Sequence, residues 1–223
     1  MKIKNIIFDV GGTLFEYEPD FLTFYYSTLL KLGFNFSKNH VLKALRLSSD
    51  YFYTTATFNP YFEFHVPLWF PIFFNNLGIP PNSINMNNII NAFYKKIQFK
   101  IDPQAIYVLK QLKNKGYRLA IISNWDESLK EELDNNNLTE LFDVIIISGV
   151  VGCEKPSVKL FKICLETLNS QPHECVYIGD TTFMDVIGSK NSGIEPILID
   201  RYNYWLNADC KIIKNLKELL LIF

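Results

Sequence analysis

The chain has 223 residues, 48% of them hydrophobic, and a formal net charge of −1. That length holds one sizeable core, or a core with a small second domain, and the apolar content excludes a disordered chain. A near-neutral balance without a long lysine or arginine run excludes a chain steered to nucleic acid or anionic lipid.

The first element is the apolar run Ile6-Ile7-Phe8, a buried strand by composition. It stops at Asp9, and Val10-Gly11-Gly12-Thr13-Leu14 follows. A strand that ends on a carboxylate and turns on glycines puts that carboxylate at the carboxyl edge of a sheet, where open α/β sheets bind ligands. Helical periodicity comes next. Phe21, Phe24, Tyr25, Leu29 and Leu32 share one face, with Gly33 after them, and Ser37 can cap a second helix carrying Val41, Leu42 and Leu45. Residues 64–94 carry no Asp, Glu, Lys or Arg, but the longest apolar run among them, Val66–Phe74, has nine residues and contains Pro67 and Pro71. A membrane-spanning helix needs about 20. The stretch reads as buried or interface-forming, within a monomer or across a homodimer, and no membrane partner is expected. Met86–Ile97 is the last, weakly periodic helix of this part.

Beyond it the pattern is strand–helix alternation. Ile106, Leu109 and Leu112 mark a helix that Gly116 can end, and the strand Leu119–Ile122 then runs to Ser123. The helix Glu127–Asn135, the strand Val144–Ile147 and a helix opened by Lys155-Pro156 and carrying Leu160, Phe161, Cys164 and Leu168 follow. The strand Val176–Ile178 leads into Gly179-Asp180, with Asp185 five residues on; the helix Met184–Lys190 ends near Gly193, and Ile197–Ile199 is the fifth strand. The strand runs are continuous rather than alternating, as expected when helices cover both faces. The fold class is therefore α/β, a doubly wound parallel sheet. Its first two strands stand more than 100 residues apart, which implies an inserted domain. The expected division is 1–16 and 101–223 for the α/β core, with 17–100 as a helical insertion. Four cysteines, Cys153, Cys164, Cys175 and Cys210, form no C-x-x-C pair. They read as free thiols of a reduced, cytoplasmic protein.

Taken singly, these polar residues are bland. An aspartate before glycines is ordinarily a turn residue, Ser123 a loop residue, Lys155 a solvated helix start, and Asp180 and Asp185 helix-flanking acids. Their order and their placement at three strand ends point to a site. That ordered set resembles the haloacid dehalogenase superfamily, in the subfamily with a helical cap inserted after the first motif. The resemblance runs through residues 4–16 and about 103–200. It implies a magnesium-dependent phosphatase acting on a small phosphorylated molecule. Asp9 would be the nucleophile that forms an aspartyl-phosphate. Mg2+ would be held by Asp9, the main-chain carbonyl of Gly11 and Asp180, with Asp185 holding ligand waters or orienting Lys155. Thr13, Ser123, Lys155 and the main-chain amides of Val10 and Asn124 would bind the phosphate. Gly12 would let the backbone approach the anion.

One departure stands out. The family's phosphatases carry a second aspartate two residues after the nucleophile, as general acid and base, and here that residue is Gly11. Such catalysis is worth roughly 10²–10⁴-fold. Three readings follow: a phosphatase whose substrates leave without a proton or that borrows an acid, Asp126 being one candidate; a weakly active or non-catalytic binder of phosphorylated ligands; or a haloacid dehalogenase-type hydrolase. Asp180 and Asp185 speak against the third, because the family's dehalogenases use no metal. Phe15, Glu16 and Tyr17 are expected at the cap hinge, and Trp69 in cap packing.

Overall fold

The structure is a computed structural model that describes residues 2–58, 66–80, 91, 98–205 and 208–223. Within it the chain divides into two compact units: Met1–Phe15, Ile101–Asn203 and Ala208–Phe223 form one, and Glu16–Lys100 with Tyr204–Asn207 forms the other.

The first unit is built on a six-stranded sheet. Its strands are β1 (Asn5–Phe8), β4 (Arg118–Ser123), β5 (Val144–Ile147), β6 (Cys175–Gly179), β7 (Glu195–Ile199) and β8 (Lys211–Ile213), in the order β5-β4-β1-β6-β7-β8. Every pairing is parallel. After β5 the chain crosses back to lay β6 on the far side of β1, so the order reverses at β1. That is the switch point of a doubly wound sheet, and Asp9 follows β1 there.

The apolar runs form these strands because both faces are covered. Ile7, Ala120, Ile122, Ile146 and Tyr177 lie under Leu160, Phe161, Cys164 and Leu168 of one helix, Val158–Leu168. β8 was not expected. Lys211 and Ile212 are exposed, so this edge strand has no continuous apolar run to betray it.

Helix Ala105–Asn114 buries Leu109 and Leu112 as expected, together with Ala105 and Val108, and Ile106 is half-buried. Gly116 ends it at φ +90°. The expected helix Met184–Lys190 is instead a π-helical turn, Thr182–Ile187, followed by a short α-helix, Gly188–Asn191. Wide turns of this kind collect at functional sites, and this one carries Asp185.

In the second unit α1 (Phe21–Lys31) is capped by Asp20, which accepts from the Thr23 N–H at 3.1 Å. Tyr204 donates its hydroxyl to the same Asp20 oxygen at 2.9 Å. α2 (Lys38–Phe58) opens at Ser37, whose Oγ accepts from the His40 N–H at 3.1 Å. Phe24, Tyr25 and Leu29 of α1 pack with Val41 and Leu45 of α2 and with Phe70, Phe73 and Phe74 of α3 (Val66–Asn76). Trp69 stacks on Phe73 with ring centroids 4.8 Å apart. Leu32, expected on the buried face, lies one residue past α1 and is 36% exposed.

Phe15–Tyr17 and Phe99–Ile101 pair as a two-stranded ribbon, β2 and β3, where the chain passes from one unit to the other and returns. Of the residues expected at a cap hinge, Phe15 is buried, and Tyr17 packs between Phe21 and Phe99. The helix expected at Met86–Ile97 lies almost wholly outside the described residues. Among the described residues no helix is long and apolar enough to cross a membrane.

Candidate active site

Three strand ends and one helix start converge at the switch point. Asp9 follows β1, its N–H donating to the Ile178 carbonyl at 2.8 Å. Asp180 follows β6, and Asp185 comes back from the π-helical turn. One carboxylate oxygen from each of Asp9, Asp180 and Asp185 lies within 4.8 Å of the others. Lys155 stands among them, with its Nζ 2.6 Å from Asp9 Oδ1 and 2.7 Å from Asp185 Oδ1. Lys155, Asp9 and Asp185 are all buried.

Asp185 is saturated by protein donors. Its Oδ1 accepts from Lys155, and its Oδ2 accepts from the Thr181 N–H at 2.9 Å and the Thr181 hydroxyl at 2.6 Å. A Cβ on Gly179 would overlap this carboxylate, so glycine is what lets Asp185 reach in. Asp185 thus holds the Lys155 ammonium on one oxygen and Thr181 on the other.

Tyr177 adds a third acceptor for the ammonium at 3.1 Å. Its own proton has two candidate acceptors, Asp185 Oδ1 at 3.0 Å and the Ile122 carbonyl at 3.3 Å. The three N–H bonds of Lys155 are therefore all engaged.

Asn124 has a further part, through its side chain. Its side chain grips the Lys155 backbone from both sides: Oδ1 accepts from the Lys155 N–H at 2.7 Å and Nδ2 donates to the Lys155 carbonyl at 3.1 Å. Ser123 ends β4, 1% exposed.

Asp126 is a poor stand-in for a general acid. It is exposed, its Oδ1 accepts from the Ser128 N–H at 2.8 Å, and the hydrogen bonds from Ser128 hold its carboxyl below the ordinary value.

The loop after Asp9 is tight. Val10 O accepts from the N–H groups of Thr13, Leu14 and Phe15, and Gly12 N–H donates to Phe15 O at 2.6 Å. Gly12 sits at φ +78°, where an L side chain is strained, and a Cβ there would fall inside the Asp180 carboxylate. What crowds Gly12 is thus the second acid of the cluster.

Two features suit an added cation and anion. Thr13 Oγ1 is a buried polar atom without a hydrogen-bond partner. Among the described residues no donor meets the Gly11 carbonyl. The oxygen-only donor set is what magnesium prefers.

Three residues of the site escaped the sequence reading: Tyr177, Arg201 and Asp102. Arg201 donates to the carbonyls of Gly12 at 2.6 Å and Thr13 at 2.8 Å, and pairs with Asp102. The signal for Arg201 was Asp200-Arg201 directly after the run Ile197–Ile199, a further polar strand end. Tyr177 was hidden inside an apolar run.

Electrostatics follow from the crowding. Desolvation pushes the Asp9 carboxyl up, Lys155 opposes it and Asp185 adds to it, leaving a value of about 6 against an ordinary 3.8. Asp180 is raised well above its ordinary value by desolvation and by Asp9 and Asp185, against Lys155 and Arg201. Burial works against the Lys155 charge, but Asp185 and Asp9 outweigh it and hold the ammonium above its ordinary value.

The sign for Asp9 follows. Its folded value lies above its unfolded one, so its contribution to stability is complete below about pH 4 and is lost as the pH rises through about 6. A bound divalent cation favours the ionised carboxylates. Magnesium is therefore expected to raise the melting temperature more at about pH 7.5 than at about pH 5. Thermal melts with and without the ion at both values test this, and an equal shift at both would separate Asp9 and Asp180 from the ion.

The protein is thus an α/β protein with a carboxylate cluster around a buried lysine at the switch point of its parallel sheet. The chain belongs to the haloacid dehalogenase-like hydrolase family, whose sequence profile matches residues 6–199.

Its relatives include a glyceraldehyde 3-phosphate phosphatase of Methanothermobacter thermautotrophicus, 33% identical over 99 residues, 44% of each chain. A phosphoserine phosphatase of Thermus thermophilus is 30% identical over 115 residues, 51% of this chain and 46% of the relative. The match thus spans less than half the length of either phosphatase. A Schizosaccharomyces pombe protein named as an uncharacterized hydrolase is 26% identical over 204 residues, 85% of this chain and 87% of the relative. The crystal structure of a HAD phosphatase from Thermococcus onnurineus superposes with a TM-score of 0.59 at 26% identity, covering 99% of this chain and 97% of that one.

Proposed function

We propose that the protein is a magnesium-dependent phosphatase that hydrolyses small phosphorylated molecules through an aspartyl-phosphate at Asp9. The observation that supports this most is the buried Asp9–Lys155–Asp185 chain with Asp180 beside it. Asp9 attacks phosphorus and the leaving group departs with the bonding electrons. Water then attacks the same phosphorus and releases phosphate, restoring the carboxylate. Lys155, held at its backbone by Asn124 and at its Nζ by Asp185 and Tyr177, keeps the nucleophile ionised and offsets charge in the transition state. Thr13, Ser123 and the main-chain amides of Val10 and Asn124 receive the phosphate oxygens. Asp9, the Gly11 carbonyl and Asp180 would hold magnesium, which supplies charge neutralisation between the carboxylates and the phosphate. Residues 17–100 act as a cap that closes over Asp9 and excludes water.

Gly11 favours a second reading, in which the protein binds phosphorylated ligands with slow turnover, because no side chain at that position can move a proton. Two measurements separate these. Calorimetry is expected to show magnesium binding to wild type and a loss of affinity of about tenfold or more for Asp180→Ala. Steady turnover of an aryl phosphate by wild type supports the enzyme, whereas magnesium and phosphate binding without turnover supports the binder. Equal magnesium affinity in the two proteins would remove the metal site from both readings.

A further inference from the structure

We propose that Arg201, held by Asp102, is a positioning residue for the loop that carries the nucleophile. Its consequence for turnover rests on the phosphatase reading, while its geometry stands apart from that reading. The loop from Val10 to Phe15 exposes its carbonyls to several different donors. Those of Val10 and Phe15 are used within the loop. The next three are taken from outside. Arg201 Nη1 donates to Gly12 O at 2.6 Å, Arg201 Nη2 donates to Thr13 O at 2.8 Å, and the Asp102 N–H donates to Leu14 O at 2.9 Å. The Gly11 carbonyl alone is left without a donor among the described residues, and it is the one the metal would use.

Thr13 is fully buried and Gly12 is buried, so loss of the guanidinium would strand two desolvated carbonyls. The planar fork of arginine spans two successive carbonyls and a carboxylate at once, which a lysine ammonium, a point charge on a flexible stem, does not reproduce. Asp102 is itself anchored. Its side chain is 3% exposed, and its Oδ1 accepts from the Gln104 N–H at 2.7 Å, ahead of helix Ala105–Asn114. Arg201 follows β7 with one residue between. The loop after Asp9 is therefore fastened to the end of a strand and to the start of a helix, and its one open carbonyl is oriented by those fastenings.

The test is Arg201→Lys, which keeps the charge and removes the fork. Hydrogen exchange is followed in the metal-free protein over residues 9–16, with β4 as the internal control. Exchange over 9–16 is expected to speed up about tenfold or more, with β4 unchanged, as loss of a charge-assisted hydrogen bond implies. With p-nitrophenyl phosphate, kcat is expected to fall about tenfold or more while KM stays within about twofold. Unchanged exchange over 9–16, a rise spread evenly over the sheet, or an unchanged kcat overturns the proposal. If the lysine variant does not fold, Asp102→Asn, which keeps an acceptor for Gln104 and removes only the charge facing Arg201, is measured in the same way with the same outcomes. A wild-type protein that neither binds magnesium nor hydrolyses the ester refutes the phosphatase reading, and the exchange comparison then decides the clamp by itself.

Discussion

Replacing Lys155 with methionine is expected to destabilise the metal-free protein by about 3–5 kcal/mol near neutral pH and to lower turnover by on the order of 10²–10³-fold. The size of the effect comes from what is left behind. Lys155 is 2% exposed and lies between Asp9 and Asp185, 2.6 Å and 2.7 Å away. Methionine fills most of the volume, so the change reports charge rather than a cavity. Two buried carboxylates would then face each other with Asp180 near them and no ammonium between them. Protonation relieves that arrangement, and Asp9 already titrates near 6 with the lysine in place. The stability gap between variant and wild type should therefore narrow as the pH falls toward about 5. Magnesium should recover part of it at neutral pH, since the ion brings the missing positive charge, without restoring turnover. Urea unfolding at two pH values, with and without magnesium, measures all of this. A loss below about 1 kcal/mol at neutral pH, in the range of exposed ion pairs, would show that Lys155 does not hold the carboxylates together.

The second large effect is a gain. Gly11→Asp is expected to raise hydrolysis of an alkyl phosphate by about 10²-fold or more, because an alkoxide leaves poorly without a proton and glycine has none to give. An aryl or acyl phosphate leaves readily as an anion, so its first step should respond much less. Gly11 is not among the glycines held at positive φ, and the backbone there accepts an L residue, unlike that of Gly12. The second step in wild type is likewise expected to lack a base at position 11 to take the proton of the attacking water. The aspartyl-phosphate should persist, and an aryl phosphate should show a burst of leaving group followed by slow turnover. The aspartate variant should lose that burst. Pre-steady-state kinetics of both proteins with one aryl and one alkyl ester decide the matter. Rapid alkyl-phosphate turnover by wild type, without a burst and without gain in the variant, would mean that another group already moves the proton. Asp126, exposed and turned to Ser128, is badly placed for that task.

The parts of this protein that local chemistry dictates were legible in the amino-acid sequence. Five strands were visible because burial on both faces demands continuous apolar runs, and Asp9, Ser123 and Asp180 were visible because each ends such a run. Ser37 was legible as a cap, since its hydroxyl and the first helical N–H groups are neighbours in the chain. β8 was not legible, because an edge strand with Lys211 and Ile212 exposed carries no apolar run. Helix Ala105–Asn114 was legible through Leu109 and Leu112, but Ala105 and Val108 complete its buried face and Ile106 stays at its edge, because periodicity gives a stripe while the neighbouring elements decide how far it is covered.

At the site, the sequence by itself determined which residues end the strands, and hence which polar groups are available at the sheet's carboxyl edge. Only the tertiary structure decided their employment. It gave Asn124 to the Lys155 backbone, spent both oxygens of Asp185 on Lys155 and Thr181, set Asp180 against Gly12, and brought Arg201 across 188 positions of chain to Thr13. The physical reason is that a hydrogen bond depends on the position and direction of both partners. For residues far apart in the chain, those are set by the packing of the strands and helices that carry them.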